Sequence, residues 1–251
     1  MTALAVRDLG VRFGGIAAVS GLDFEVEPQE VFGIIGPNGA GKTTTFNLLS
    51  RLYEPTSGSI VLDGRELVGM RPHQVARLGL ARTFQNIELF GKATVLENLM
   101  VGAHAATRGN ALADLLFLPA VRRRERESMH RAETVIEFLE LEGYRNQHVE
   151  HLPYGVRKLV ELGRALCASP RVLLLDEPCS GLNPEERRDM VFSIRDIRTL
   201  LKVTVVLIEH DMTVVSSVCD RVLVLNHGQR LSHGTPAQVQ ADPAVVAAYL
   251  G

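Results

Sequence analysis

Lys42, Thr43, Asp176, Glu177 and His210 are side chains that together could move a phosphoryl group, and the spacing around the first two says how. The segment VFGIIGPNGAGKTT runs an apolar stretch straight into Gly36-x4-Gly41-Lys42-Thr43, the P-loop pattern in its strand-to-helix setting. Glycines allow successive backbone N–H groups to turn inward around phosphate oxygens, and the following helix N-terminus adds partial positive charge. The candidate cradle is therefore Gly36, Pro37, Asn38, Gly39, Ala40, Gly41, Lys42, Thr43 and Thr44. Lys42 would set a point charge on the β- and γ-phosphates, and Thr43 would offer its hydroxyl to Mg²⁺. The loop alone leaves ATP and GTP both open.

A second half of such a site is RVLLLDEP, where a buried strand ends in two adjacent acids. Carboxylates directly after four apolar residues sit at the carboxyl edge of a sheet, where a P-loop also lies. Asp176 is placed to hold Mg²⁺ and Glu177 to act as the general base on the attacking water. One of the two acids could instead cap the next helix, but a cap needs only one. His210, in IEHDM, also leaves the end of an apolar run, and Gln85 follows Arg82-Thr83-Phe84. Each of these two is weak evidence by itself.

These groups need a scaffold, and the pattern supplies one. Short β-rich runs at 31–35, 59–62, 82–84, 172–175, 204–208 and 222–225 alternate with helical stretches. The near-continuous apolar runs VLLLD and VTVVLIEH read as strands covered on both faces, hence a parallel sheet in an α/β fold. Asp63-Gly64 and His227-Gly228 predict hairpins, so antiparallel members join it. From 94 to 163 the strand signal gives way to a helical insertion, whose RRRERE stretch at 122–127 reads as a solvated helix face. With 27 basic against 29 acidic residues in 251, no charge excess points to nucleic acid. The longest apolar runs, among them 115–121 and 203–208, fall far short of the roughly 20 residues of a membrane span. No leader pattern is visible, and Cys167, Cys179 and Cys219 are too scattered for a disulfide or zinc framework, so the thiols are expected reduced in a cytosolic setting. Cys179 reads as a small buried filler.

The order of the motifs says more than any one of them. Phe13, GPNGAGKTT, Gln85, LPYGV at 152–156, LLLDEP, SGLNP at 180–184 and His210 resemble, in that order, the A-loop, Walker A, Q-loop, signature, Walker B, D-loop and H-loop of the nucleotide-binding subunit of an ABC transporter. The resemblance covers essentially the whole chain. It implies a P-loop NTPase with a mixed RecA-like core and antiparallel β-subdomain (1–93 and 164–251) and a helical subdomain carrying the signature (94–163). It also implies ATP as nucleotide, Phe13 stacked on adenine, His210 beside the γ-phosphate, Gly155 facing a partner's nucleotide, and Gln85 as a Mg²⁺ ligand that reports to a permease-facing surface at 89–99. RFGGIAAV, ARTFQ, LFGKATVLENLMVG, IEHDM and the terminal AAYLG are similar to one of the two ATPase subunits of branched-chain amino-acid uptake systems. That branch implies two permease subunits, a second ATPase subunit (non-identical, with a homodimer as the other arrangement), an external solute-binding protein, and a place on the cytoplasmic face of the plasma membrane. Related branches serve urea, amides or lipopolysaccharide export.

Two departures stand out. The usual LSGGQ is here Leu152-Pro153-Tyr154-Gly155-Val156, so the serine hydroxyl and first glycine are missing. Asn183 replaces the D-loop aspartate and cannot carry its charge. Against an ABC protein of translation or DNA repair stands the absence of a second cassette or long coiled coil. Against a weakly hydrolysing dimerisation module stand Glu177 and His210, although Pro153 favours it. A small kinase or GTPase leaves LPYG, SGLNP and His210 unexplained.

Overall fold

The computed structural model describes residues 2–105 and 119–250. Its strands are β1 (Leu4–Phe13), β2 (Ile16–Val26), β3 (Val31–Ile35), β4 (Ser57–Leu62), β5 (Arg65–Glu66), β6 (Leu80–Arg82), β7 (Val172–Asp176), β8 (Thr204–Ile208), β9 (Arg221–Asn226) and β10 (Gln229–Gly234). Its helices are α1 (Lys42–Leu49), α2 (Pro72–Arg77), α3 (Val95–Ala105), α4 (Pro119–Phe138), α5 (Tyr154–Leu166), α6 (Pro184–Thr199), α7 (Met212–Val218), α8 (Pro236–Gln240) and α9 (Pro243–Leu250). The chain divides into two compact units, Met1–Gln85 with Arg171–Gly251, and Asn86–Pro170.

The first unit is built on a six-stranded sheet of order β10-β9-β3-β8-β7-β6, parallel except for β10. Every residue of β3, β7 and β8 is buried, which is why their sequences run apolar without alternation. A second, antiparallel sheet of order β2-β1-β4-β5 lies in the same unit. Phe46, Leu48 and Leu49 of α1 share one apolar cluster with Val6, Leu9 and Leu22 of the antiparallel sheet and Phe32, Leu174 and Val206 of the parallel one. Helix α1 is thereby fixed from both sheets, and so is the loop that feeds it.

The strands at 31–35 and 204–208 fall where the apolar runs place them. The turns at Asp63-Gly64 and His227-Gly228 join β4 to β5 and β9 to β10, with positive φ at both residues of each, the type I′ geometry expected of such pairs. The expected strand at 82–84 lies earlier, at Leu80–Arg82, because the edge pairing with β7 begins at Leu80 and Val172. A ladder-like bond from Thr83 N–H to Leu174 O at 2.9 Å follows it.

The second unit is helical. Asn98 of α3, wholly buried, holds the preceding loop by accepting from Phe90 N–H at 2.9 Å and donating to Phe90 O at 3.1 Å. Five of the six residues 122–127 on α4 are exposed, and Arg123 pairs with Glu127 at 2.9 Å one turn on. The apolar run at 115–121 lies mostly outside the described residues. Among the described residues no helix is long and apolar enough to cross a membrane.

Candidate active site

Three parallel strands end on the same edge of the sheet and deliver chemistry there: β3 the loop 36–41, β7 Asp176 and Glu177, β8 Glu209 and His210. The loop's shape depends on Gly36, at φ +150°, where an added Cβ would collide with the carbonyl oxygen of Leu225 on β9. From its other side the loop is held by the β9–β10 turn, whose Gly228 N–H donates to Ala40 O at 3.0 Å. The Tyr249 phenol on α9 lies beside the Gly36 backbone.

Lys42 is buried, and its ammonium donates to the carbonyls of Gly36 and Pro37 at 2.8 and 2.9 Å. Burial pulls its pKa below the usual lysine value, while the nearby Glu177 and Asp176 carboxylates oppose that shift. The two acids of LLLDEP thus lie close enough to Lys42 to be felt electrostatically. Asp176 is 1% exposed and ion-paired to Arg82 at 2.8 Å. Arg82 also donates to Asn47 Oδ1 of α1 at 2.7 Å and to Ser50 Oγ, at the C-terminal cap of that helix, at 3.1 Å, and lies over the rings of Phe46 and Phe84. Glu177 stands at φ +49°, its N–H bonded to Ile208 O at 3.0 Å, and its Oε2 accepts from Gln85 Nε2 at 3.2 Å.

A cavity of about 490 Å³ opens over this arrangement, lined by Asn38 to Thr44, Gln85, Glu177, His227 and, on an apolar wall, Ile16, Ala17 and Ala18. Its volume and mixed lining suit a nucleotide. Phe13 is not among the lining residues: it is half-exposed and stands edge-on to Tyr53 at 5.2 Å between ring centroids. His210 is exposed and also outside the lining, two residues past the end of β8. Gly155 is buried in the first turn of α5, in the second unit, where Pro153 caps the helix without a side-chain hydrogen bond. Asn183 caps α6, its Oδ1 accepting from Glu185 N–H at 2.9 Å and Glu186 N–H at 3.0 Å. Cys179 is buried, with its thiol pushed up to about 12 by burial first and then by Glu209.

Residues 19–180 match the family described as "ABC transporter". The chain belongs to the ABC transporter family. Residues 229–251 match a second family, "Branched-chain amino acid ATP-binding cassette transporter". This ABC protein is 46% identical over 248 residues to the "High-affinity branched-chain amino acid transport ATP-binding protein BraF" of Pseudomonas aeruginosa, which spans 99% of this chain and 97% of the relative. It is 42% identical, with the same coverage, to the corresponding LivG protein of Escherichia coli. Its fold superposes with a TM-score of 0.88 on the crystal structure of a nucleotide-free ATP-binding cassette from an ABC transporter, at 29% identity and 100% coverage of both chains. An ATP-binding cassette in its ADP conformation gives the same TM-score and identity. The protein is an ATP-binding ABC ATPase subunit, in agreement with the fold and activity that the motif order implies.

The motifs gave no hint of three features. Arg82 and its ties to α1 involve residues far apart in sequence, and Ile16 to Ala18 carry no chemical signature. Glu209 carries no signal of its own beside the more conspicuous His210.

Proposed function

We infer that this ATPase powers the uptake of branched-chain amino acids through a membrane permease. Similarity to BraF and LivG along nearly the whole chain, with the separate match of residues 229–251, carries this reading. The chain sits at the cytoplasmic face of the plasma membrane against two permease subunits, with a second ATPase subunit opposite it and an external binding protein delivering solute. Residues 94–163 form the helical subdomain, and the surface at 89–99 meets the permease.

In the proposed site the backbone of the 36–44 loop and Lys42 hold the β- and γ-phosphates, and Ile16, Ala17, Ala18 and Phe13 border the base. Thr43, Asp176 and Gln85 are oxygen donors few enough to leave room for water and phosphate, the set that fits Mg²⁺. That ion would offset charge on the phosphate oxygens. Glu177 takes the proton of the attacking water, Gln85 holds the Glu177 carboxylate in place, and His210 meets the γ-phosphate when the partner subunit closes. Gly155 and the N-terminal turn of α5 present backbone N–H groups to the partner's nucleotide. With Pro153 in place of a serine, that second site lacks a hydroxyl worth roughly 1.5–3 kcal/mol toward a charged group. The chain's own site is therefore the stronger of the two.

Radiolabelled leucine uptake by cells lacking this chain, complemented with wild type or Glu177→Gln, tests the reading. Uptake restored only by wild type is expected. Uptake indifferent to the chain, with ATP hydrolysis intact, would overturn the substrate while leaving the ATPase standing.

A further inference from the structure

Glu209 is a buried acid that the nucleotide chemistry leaves unused. It directly follows β8, is 1% exposed, and lies outside the cavity lining. Its Oε1 accepts the Cys179 N–H at 2.9 Å and its Oε2 accepts the His210 N–H at 3.3 Å. Burial raises its carboxyl above the usual range, and these two backbone donors act against that rise. One carboxylate thus joins the segment that carries Glu177 to the segment that carries His210.

What this fastening does follows from the backbone of Glu177. At φ +49° a glutamate holds a left-handed conformation that residues with a Cβ rarely adopt, and such strain persists only where the surroundings over-determine it. Two bonds pin the turn to the end of β8: Glu177 N–H to Ile208 O at 3.0 Å, and Cys179 N–H to Glu209. A third closes it internally, from Ser180 N–H to Glu177 O at 3.1 Å. Glu209 supplies the one side-chain tie among these. It is also the one that reaches His210.

We propose that Glu209 is a positioning residue for ATP hydrolysis, holding the Glu177 turn in its left-handed setting and fixing its spacing to His210. This deepens the ATPase reading and rests on Glu177 as base. Only an acceptor of this length satisfies both N–H groups. A glutamine turns an NH₂ donor toward one of them, and an alanine leaves the buried Cys179 N–H without its acceptor and releases the His210 N–H. The Lys42 loop, which carries nucleotide affinity, makes no bond to Glu209 among those described, so the effect falls on turnover.

Steady-state hydrolysis by the full chain in its transporter complex, wild type against Glu209→Gln and Glu209→Ala, tests this, with ATP affinity and Tm measured alongside. We expect kcat to fall roughly ten- to hundred-fold while KM and ATP affinity stay within about twofold. Glu209→Gln keeps the side-chain shape and carries the test if Glu209→Ala does not fold. A Glu209→Gln kcat within about twofold of wild type overturns the positioning role alone. So does a fall in kcat matched by weakened ATP affinity and a lower Tm, the pattern of general damage. A wild-type complex without turnover overturns the ATPase reading and this proposal with it.

Discussion

Arg82 and Asp176 form an ion pair of 2.8 Å in which both side chains are almost wholly withdrawn from water. The pair ties the acid that ends β7 to α1, through the further bonds of Arg82 to Asn47 and Ser50. Removing one member of a buried pair leaves the other charge uncompensated, so Arg82→Ala is expected to lower folding stability by about 3–5 kcal/mol. Urea denaturation reads this directly. A loss below about 1 kcal/mol would place the pair among exposed, weakly contributing ones.

Glu177 and Lys42 are expected to fail in different ways. Glu177→Gln keeps size and hydrogen bonding but cannot accept a proton, so kcat should fall by about 10²–10⁴ with ATP binding retained. Lys42→Ala removes a charged donor at the phosphates, and ATP affinity should weaken by roughly tenfold or more, for a contact worth about 1.5–3 kcal/mol. Phosphate release and equilibrium nucleotide titration separate the two. Equal losses of affinity in both variants would contradict the division of roles.

How much of this was readable beforehand depends on the range of each interaction. Residues that act through contiguous backbone announced themselves: the 36–44 loop, the acids closing VLLLD, and the type I′ pairs at Asp63-Gly64 and His227-Gly228. The long strands β1 and β2 did not, because irregular pairing at Val6/Leu9 and Leu9/Val11 breaks the two-residue alternation that marks a strand. Arg82 carries no local signal, since its meaning comes from Asp176, which is 94 residues away. Glu209 looks like an ordinary surface acid until burial and two backbone donors are seen around it.

Gly36 tests the loop without touching a charge. Gly36→Ala sets a methyl group against Leu225 O, which belongs to β9 and cannot move without disturbing the sheet. ATP affinity should drop along with Tm, since the loop must shift to relieve the clash. A variant with unchanged nucleotide affinity would mean the loop tolerates a different path.

The cysteines set a pH limit. Burial pushes the Cys167 and Cys179 thiols from 9.0 up to about 12, and Cys219 higher still. The unfolded chain releases these protons above pH 9 and the folded chain does not. Their contribution is therefore complete below pH 9 and is lost as pH climbs toward 12, by about 1.4 kcal/mol per thiol per pH unit. Urea midpoints between pH 8 and pH 10 should fall more steeply for wild type than for a variant with all three cysteines changed to alanine; parallel slopes would contradict it.

Asn183 poses the last question, because the residue that replaces the D-loop aspartate is committed to its own helix. Its Oδ1 accepts from Glu185 and Glu186 N–H, and Glu186 Oε2 accepts the Asn183 N–H at 3.0 Å, a closed capping box at the start of α6. Asn183→Ala should lower stability by about 0.5–2 kcal/mol. Asn183→Asp keeps the acceptor and adds charge at the positive end of the helix, though Glu185 and Glu186 already stand in that turn and repel it. Its stability should stay within about 0.5 kcal/mol of wild type. The informative measurement is hydrolysis in the assembled complex. If the missing charge limits coupling between subunits, Asn183→Asp raises turnover at unchanged Tm, while Asn183→Ala lowers Tm. Identical turnover in wild type and Asn183→Asp would leave this residue a helix cap and nothing more.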